Sequence, residues 1–150
     1  MPDSWAQAGG EVMTEADIQK AVIQNLLLRS EPKVFWFHVP NGGKRSWSEG
    51  KSFKAMGVIA GVPDILLIKD GEIFGLELKA TGGAVRPSQR LAHAAMQEAG
   101  AKTAVAKGLD EALITLECWG LLRRNNSSNR VPDQIKEECD DKRYSNSASG

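Results

Sequence analysis

Two apolar runs separated only by Asp70-Gly71 restrict this chain more than any other stretch. Gly61-Val62-Pro63-Asp64-Ile65-Leu66-Leu67-Ile68-Lys69 precedes the dipeptide and Glu72-Ile73-Phe74-Gly75-Leu76-Glu77-Leu78-Lys79 follows it. Asp-Gly tolerates the positive φ angles of a tight type I′ turn, so the stretch is predicted to form a β-hairpin. A two-residue loop pairs Lys69 with Glu72 and, counting outward, sets Asp64 opposite Glu77. Opposed residues lie on one side of a sheet with Cβ atoms roughly 4.5–5.5 Å apart. Lys79, two residues past Glu77, shares that side.

Two carboxylates and an ammonium therefore converge among residues that are apolar on both faces, a pattern expected of a sheet covered by helices on each side. Like charges opposed in such surroundings are destabilising. A hard divalent cation such as Mg²⁺, which takes carboxylate oxygens, would remove the penalty. An acid followed two residues later by Lys is not rare here: it occurs at Glu31/Lys33, Glu49/Lys51, Glu77/Lys79 and Asp140/Lys142. Only Glu77 and Lys79 interrupt an apolar run. The bland alternative is a pair projecting from a strand end, with Asp64 merely opening the strand after Pro63; structural ion pairs also perturb carboxylates.

The 150 residues suit a single domain with a real core. Residues 1–12 and 122–150 are polar and aperiodic and are expected to stay disordered, which leaves 13–121 as the folded unit. Lys plus Arg equals Asp plus Glu at 19 each, so any nucleic-acid contact must come from a local patch rather than from overall charge. Cys118 and Cys139 lack metal-ligand spacing and no secretory leader is recognisable, so a reducing cytoplasm is the expected setting. No apolar run approaches the ~20 residues that cross a bilayer.

Thr14-Glu15-Ala16-Asp17 has the form of a helix start, with Thr14 as cap and Asp17 three residues on. The helix is predicted to run to about Arg29, with Ile18, Val22 and Leu26 on one stripe. Glu15 falls on that stripe: either it complements the helix dipole, or it is aimed at a charge beneath the helix. Val34 to Val39 is dense in β-branched and aromatic residues and reads as a strand in which His38 is an ordinary member. Asn41-Gly42-Gly43 then turns the chain into an irregular segment, with a short helical piece near Lys54 to Met56. Lys44, Arg45, Lys51 and Lys54 stand there against one acid, Glu49, with Trp47 and Phe53 interleaved. Such a segment suits phosphate contacts and base stacking, or is a solvated loop with its aromatics in the core. Pro87 or Ser88 opens a helix to about Ala99, with Gln89 in its first turn and Gly100 ending it. Lys102 to Ala106 is predicted as a strand and Leu109 to Trp119 as a helix, giving an α/β fold with a mixed sheet.

Glu15 on a helix, Pro63-Asp64, Glu77-Leu78-Lys79 and Gln89 on the next helix together resemble the restriction-endonuclease-like PD-(D/E)XK fold, an αβββαβ core with flanking helices. Gly61-Val62-Pro63-Asp64, Glu77-x-Lys79, Ser88-Gln89 and Asn41-Gly42-Gly43-Lys44-Arg45 resemble, more narrowly, the VRR-NUC family of small phage and bacterial nucleases. The resemblance spans roughly Thr14 to Trp119. It implies that Asp64, Glu77 and the Leu78 carbonyl hold one or two Mg²⁺ or Mn²⁺ ions, with Glu15 as a further ligand or a partner of bound water. It implies that Lys79 orients or helps deprotonate the attacking water and stabilises phosphorane charge, and that Gln89 positions water or a phosphate oxygen; the basic segment then supplies Asn41, Lys44, Arg45, Lys51 and Lys54 as the expected DNA contacts.

The implied function is a metal-dependent DNA endonuclease of a bacterial or phage-infected cytoplasm, structure-selective for branched DNA and working as a homodimer in the manner of junction resolvases. The alternatives are a restriction-type sequence-specific nuclease and a non-catalytic nucleic-acid-binding module. A binding-only protein has no physical reason to retain acids that repel phosphate.

Overall fold

A computed structural model of the chain describes residues 12–40, 47–125 and 139, with only the backbone of Trp47. Its elements follow the order α1 (Glu15–Arg29), β1 (Phe35–His38), α2 (Trp47–Ala55), β2 (Ile65–Lys69), β3 (Glu72–Lys79), α3 (Pro87–Glu98), β4 (Lys102–Lys107) and α4 (Leu109–Cys118). The strands form one sheet in the order β1-β2-β3-β4. The first three are antiparallel and β4 runs parallel to β3, with α3 as the crossover between them. This is a restriction-endonuclease-like α/β fold, with α2 inserted between the first two strands and α4 added at the end.

The hairpin has the register expected of a two-residue loop: Lys69 pairs with Glu72 and Ile65 with Leu76. Asp70 and Gly71 both take positive φ, 50° and 79°, as a type I′ turn requires. Thr14 caps α1, accepting from the Asp17 N–H at 3.2 Å while Asp17 Oδ2 accepts from the Thr14 N–H and hydroxyl. These bonds hold the Asp17 carboxyl below its ordinary range. Ile18, Val22 and Leu26 are buried against the core face of the sheet, together with Ile65, Leu67, Phe74, Leu76, Leu78 and, from α4, Ala112 and Leu116.

The structure departs from expectation at several points. Helix α2 is longer than expected and begins earlier, at Trp47, with Glu49 in its first turn and Lys54 in its last, where each charge complements the helix dipole. The second face of the sheet is not covered throughout: α3 lies against the β3–β4 side, while Phe35, Phe37, Ile68 and Ile73 remain exposed. Packing also continues past residue 121. Leu122 is buried in the core and bridges Ser30, and the Arg123 N–H donates to the Arg29 carbonyl at 2.8 Å. Cys139, expected within a solvated tail, is buried and disulfide-bonded to Cys118. Such a bond persists in oxidising surroundings and is reduced in a cytoplasm of the kind expected from the sequence.

Candidate active site

The hairpin, α1, α2 and the start of α3 enclose a cleft of about 820 Å³, and Glu15, Asp64, Glu77, Lys79 and Gln89 all line it. Strand periodicity accounts for the arrangement. On β3, Phe74, Leu76 and Leu78 point into the core, so Gly75, Glu77 and Lys79 point to the α3 side. Gly75 leaves room for Pro63, whose Cγ would lie 2.6 Å from any Cβ there. Pro63 in turn leads the chain into Asp64, one residue before β2 begins.

Asp64 is fixed through both backbone and side chain. Its carbonyl accepts from the Val39 N–H and from His38 Nδ1, each at 2.8 Å. Its Oδ2 accepts from the Leu78 N–H at 2.8 Å, which ties the carboxylate to the strand that carries Glu77. Burial raises the Asp64 carboxyl above its ordinary range; the Leu78 N–H and the Lys79 ammonium oppose this without cancelling it.

Glu77 is 2% exposed and Lys79 6% exposed, so both charges are inside the protein. The two oxygens of Glu77 are treated unequally. Oε1 lies 3.3 Å from Lys79 Nζ and also accepts from Gln89 Nε2. Oε2 is buried and has no hydrogen-bond partner among the described residues. Burial, followed by repulsion from Asp64, pushes the Glu77 carboxyl up to about 7 despite the adjacent ammonium. Gln89 is oriented from its other end, since its Oε1 accepts from the Arg86 N–H at 2.8 Å.

Glu15 reaches the same ammonium from α1, with Oε1 3.8 Å from Lys79 Nζ. The α1 carboxylate is thus aimed at a charge, but it is half-exposed and faces the lysine rather than the other acids. Among the described residues no three His, Cys, Asp or Glu side chains form a group that could hold a metal ion. The fit to a hard cation rests instead on two carboxylates: the bare Glu77 Oε2, and Asp64 with Oδ1 outside its bond to Leu78.

On the basic segment, Lys54 and Phe53 line the cleft from α2, and Lys51 is exposed on the same helix outside the lining. Asn41, Lys44 and Arg45 lie outside the described residues. Three residues gain a place that sequence reasoning did not give them. Arg86 joins the cleft wall, His38 holds the Asp64 backbone, and His93, one turn beyond Gln89 on α3, is buried with Nε2 unpartnered among the described residues.

No family model matches the sequence, and no curated protein matches it. Among solved structures, a chain described as a VRR_NUC domain protein superposes with a TM-score of 0.57 at 22% identity, covering 77% of this chain and all of its own. At that identity the likeness is one of fold, and the fold is VRR-NUC-like.

Proposed function

We propose that this protein is a metal-dependent DNA endonuclease that hydrolyses phosphodiester bonds in the cleft between the hairpin and α3. The observation that carries the reading is the Glu77 carboxylate, which is buried with one oxygen saturated by Lys79 and Gln89 and the other bare beside Asp64. Burying an unpaired anionic oxygen is costly, and a site for Mg²⁺ or Mn²⁺ is the arrangement in which that cost has a purpose.

In this reading Asp64, Glu77 and the Leu78 carbonyl hold the cation, and Glu15 adds an outer contact through water. When bound, such a cation supplies charge neutralisation and acidification of the attacking water. The Leu78 N–H keeps Asp64 turned toward Glu77, and Gln89 holds the Glu77 carboxylate in its rotamer. Lys79 offers N–H donors to the attacking water and to the charge that develops on phosphorus oxygens. Lys54 and Arg86, which both line the cleft, suit the DNA backbone; DNA contacts by Asn41, Lys44, Arg45 and Lys51 belong to the same proposal.

Selectivity for branched DNA and assembly as a homodimer belong to the same reading, because two strands cut symmetrically need two sites. So does a cytoplasmic setting in a bacterial or phage-infected cell, where Cys118 and Cys139 would stand as thiols. The test is incubation with four-way-junction, flap and linear DNA in Mg²⁺, Mn²⁺ or EDTA. Cleavage of branched substrates with either metal, lost in EDTA and in Asp64→Ala and Glu77→Ala, is the expected result. Metal-independent cutting, or full activity in either variant, refutes it, and DNA binding without cutting would make the protein a binding module. Light scattering that gives a monomer at working concentration would remove the resolvase-like version.

A further inference from the structure

Beside the cleft, on the β4 side of α3, lies a second cavity of about 480 Å³. Arg90 and His93 of α3 and Lys107 at the end of β4 line it, and no carboxylate does. The remaining wall is mainly aliphatic, from Ala84, Val85 and Val105. The side chains of Arg90 and Lys107 make no ion pair among the described residues, whereas Arg29, Lys79 and Lys102 are each paired with an acid. His93 is only 8% exposed, and its Nε2 is one of two buried side-chain polar atoms without a hydrogen-bond partner among the described residues. The other is Glu77 Oε2.

A pocket with two cations that make no ion pair among the described residues, a buried imidazole and mainly aliphatic walls matches a phosphate carrying an organic group better than a bare ion, although the Glu111 carboxylate accepts from the Lys107 backbone N–H nearby. Its position says which one. Lys107 is the register partner of Lys79 on the neighbouring parallel strand, so the two ammonium-bearing residues start one strand spacing apart on the same face. The cleft and the cavity also share α3, the cleft at Arg86, Ser88 and Gln89 and the cavity at Arg90, His93 and Gln97.

We infer that the cavity formed by Arg90, His93 and Lys107 is a second phosphate site, which grips the backbone of a nucleic-acid strand near the bond held beside Glu77. The inference takes its ligand class from the nuclease reading but stands on different residues. The phosphate would face Arg90 and Lys107 while its sugar lies along Val85 and Val105.

The test is made in EDTA, on the full chain, so that neither metal nor cleavage enters. Anisotropy of a labelled single-stranded oligonucleotide is followed against salt for wild type and for Arg90→Gln/Lys107→Gln. The His93 imidazole resonances are followed during titration with the oligonucleotide and, separately, with inorganic phosphate. The expected result is a roughly tenfold weakening of affinity in the double variant, a salt slope smaller by about 0.7 for each phosphate no longer neutralised, and a His93 shift on adding oligonucleotide. Unchanged affinity and slope, with unchanged melting temperature, would overturn the site. A His93 response to inorganic phosphate but not to oligonucleotide would equally overturn it, leaving a small-anion pocket. Because nothing is cut in this assay, failure of the nuclease reading would appear only in the metal-dependent experiment and failure of this site only here.

Discussion

The two faces of strand β3 are buried almost equally and contain opposite chemistry. Leu76 and Leu78 on one side are 0% and 1% exposed; Glu77 and Lys79 on the other are 2% and 6% exposed. The leucines are where they are because removing apolar surface from water is favourable. The charged pair is buried against that logic, since taking two ions out of water costs several kcal/mol each and their mutual attraction need not recover it. The comparison teaches that burial alone does not mark the core of this protein. One face of the strand stabilises the fold, and the other spends stability on a preorganised polar site.

The comparison breaks most visibly if Glu77 and Leu76 are exchanged for near-neutral relatives. Glu77→Gln keeps the shape of the side chain and its acceptor toward Lys79 but can never ionise. Cleavage in Mg²⁺ is expected to fall by at least ~10³-fold, about 4 kcal/mol of transition-state stabilisation, while the melting temperature at pH 8 stays level or rises. Leu76→Ala should do the reverse. It should cost about 3 kcal/mol of stability through a cavity in the core, with kcat at low temperature little changed. Equal stability losses in the two variants, read from urea unfolding, would mean that the faces do not differ in kind.

The protonation of Glu77 sharpens the same contrast. Its folded-state pKa, pushed up to about 7 from an ordinary 4.5, means that the folded protein holds a proton that the unfolded chain releases. The stability due to this proton is fully present below about pH 4.5 and is lost as pH rises through about 7. In EDTA, unfolding free energy should therefore drop between pH 5 and 8 by up to about 3 kcal/mol, less where cleft water screens the charge. Asp64, shifted in the same direction by burial, adds to the slope. Glu77→Gln should flatten it, and Mg²⁺ should reduce it because the ionised form is then the favoured one. A wild-type profile in EDTA as flat as that of Glu77→Gln would remove the basis for treating Glu77 as a reluctant carboxylate.

Much of this frame is legible in the residues themselves. Asp70-Gly71 fixes a two-residue loop, the loop fixes the register, and a period of two then decides that Glu77 and Lys79 share a face that the leucines do not. Ile18, Val22 and Leu26 mark the α1 stripe in the same way. Relations between distant segments are less accessible. His38 matters through one bond to the Asp64 carbonyl, which only pairing of β1 with β2 creates. His93 is masked by its alanine-rich surroundings, although it stands four residues after Gln89 on the same helix. Apolar residues on both faces of the hairpin suggest helices on both sides; α3 covers only part, and Ile68 and Ile73 stay in view. Leu122 reads as tail because Arg-Arg-Asn-Asn follows it, yet it is buried in the core and bridges Ser30 at the end of α1.

A smaller change probes how the polar face is held in place. Gly61 has φ of 84°, and a Cβ added there would run into the Ser88 carbonyl and come within 2.6 Å of the Gln89 nitrogen. The glycine therefore lets the loop before Asp64 lie directly against the first turn of α3, from which Gln89 reaches Glu77 Oε1. Gly61→Ala imposes two penalties: a left-handed backbone on an L-residue, roughly 1–2 kcal/mol, and a displacement of the α3 start. The core face of β3 lies away from this junction, but the clash is with backbone and adds to the strain, so the stability loss should exceed about 2 kcal/mol. Activity should fall by about tenfold as Gln89 moves off the carboxylate. Measuring both in one preparation separates the effects. If stability falls while cleavage per folded molecule is unchanged, Gln89 does not position Glu77, and Lys79 alone keeps the carboxylate in its rotamer.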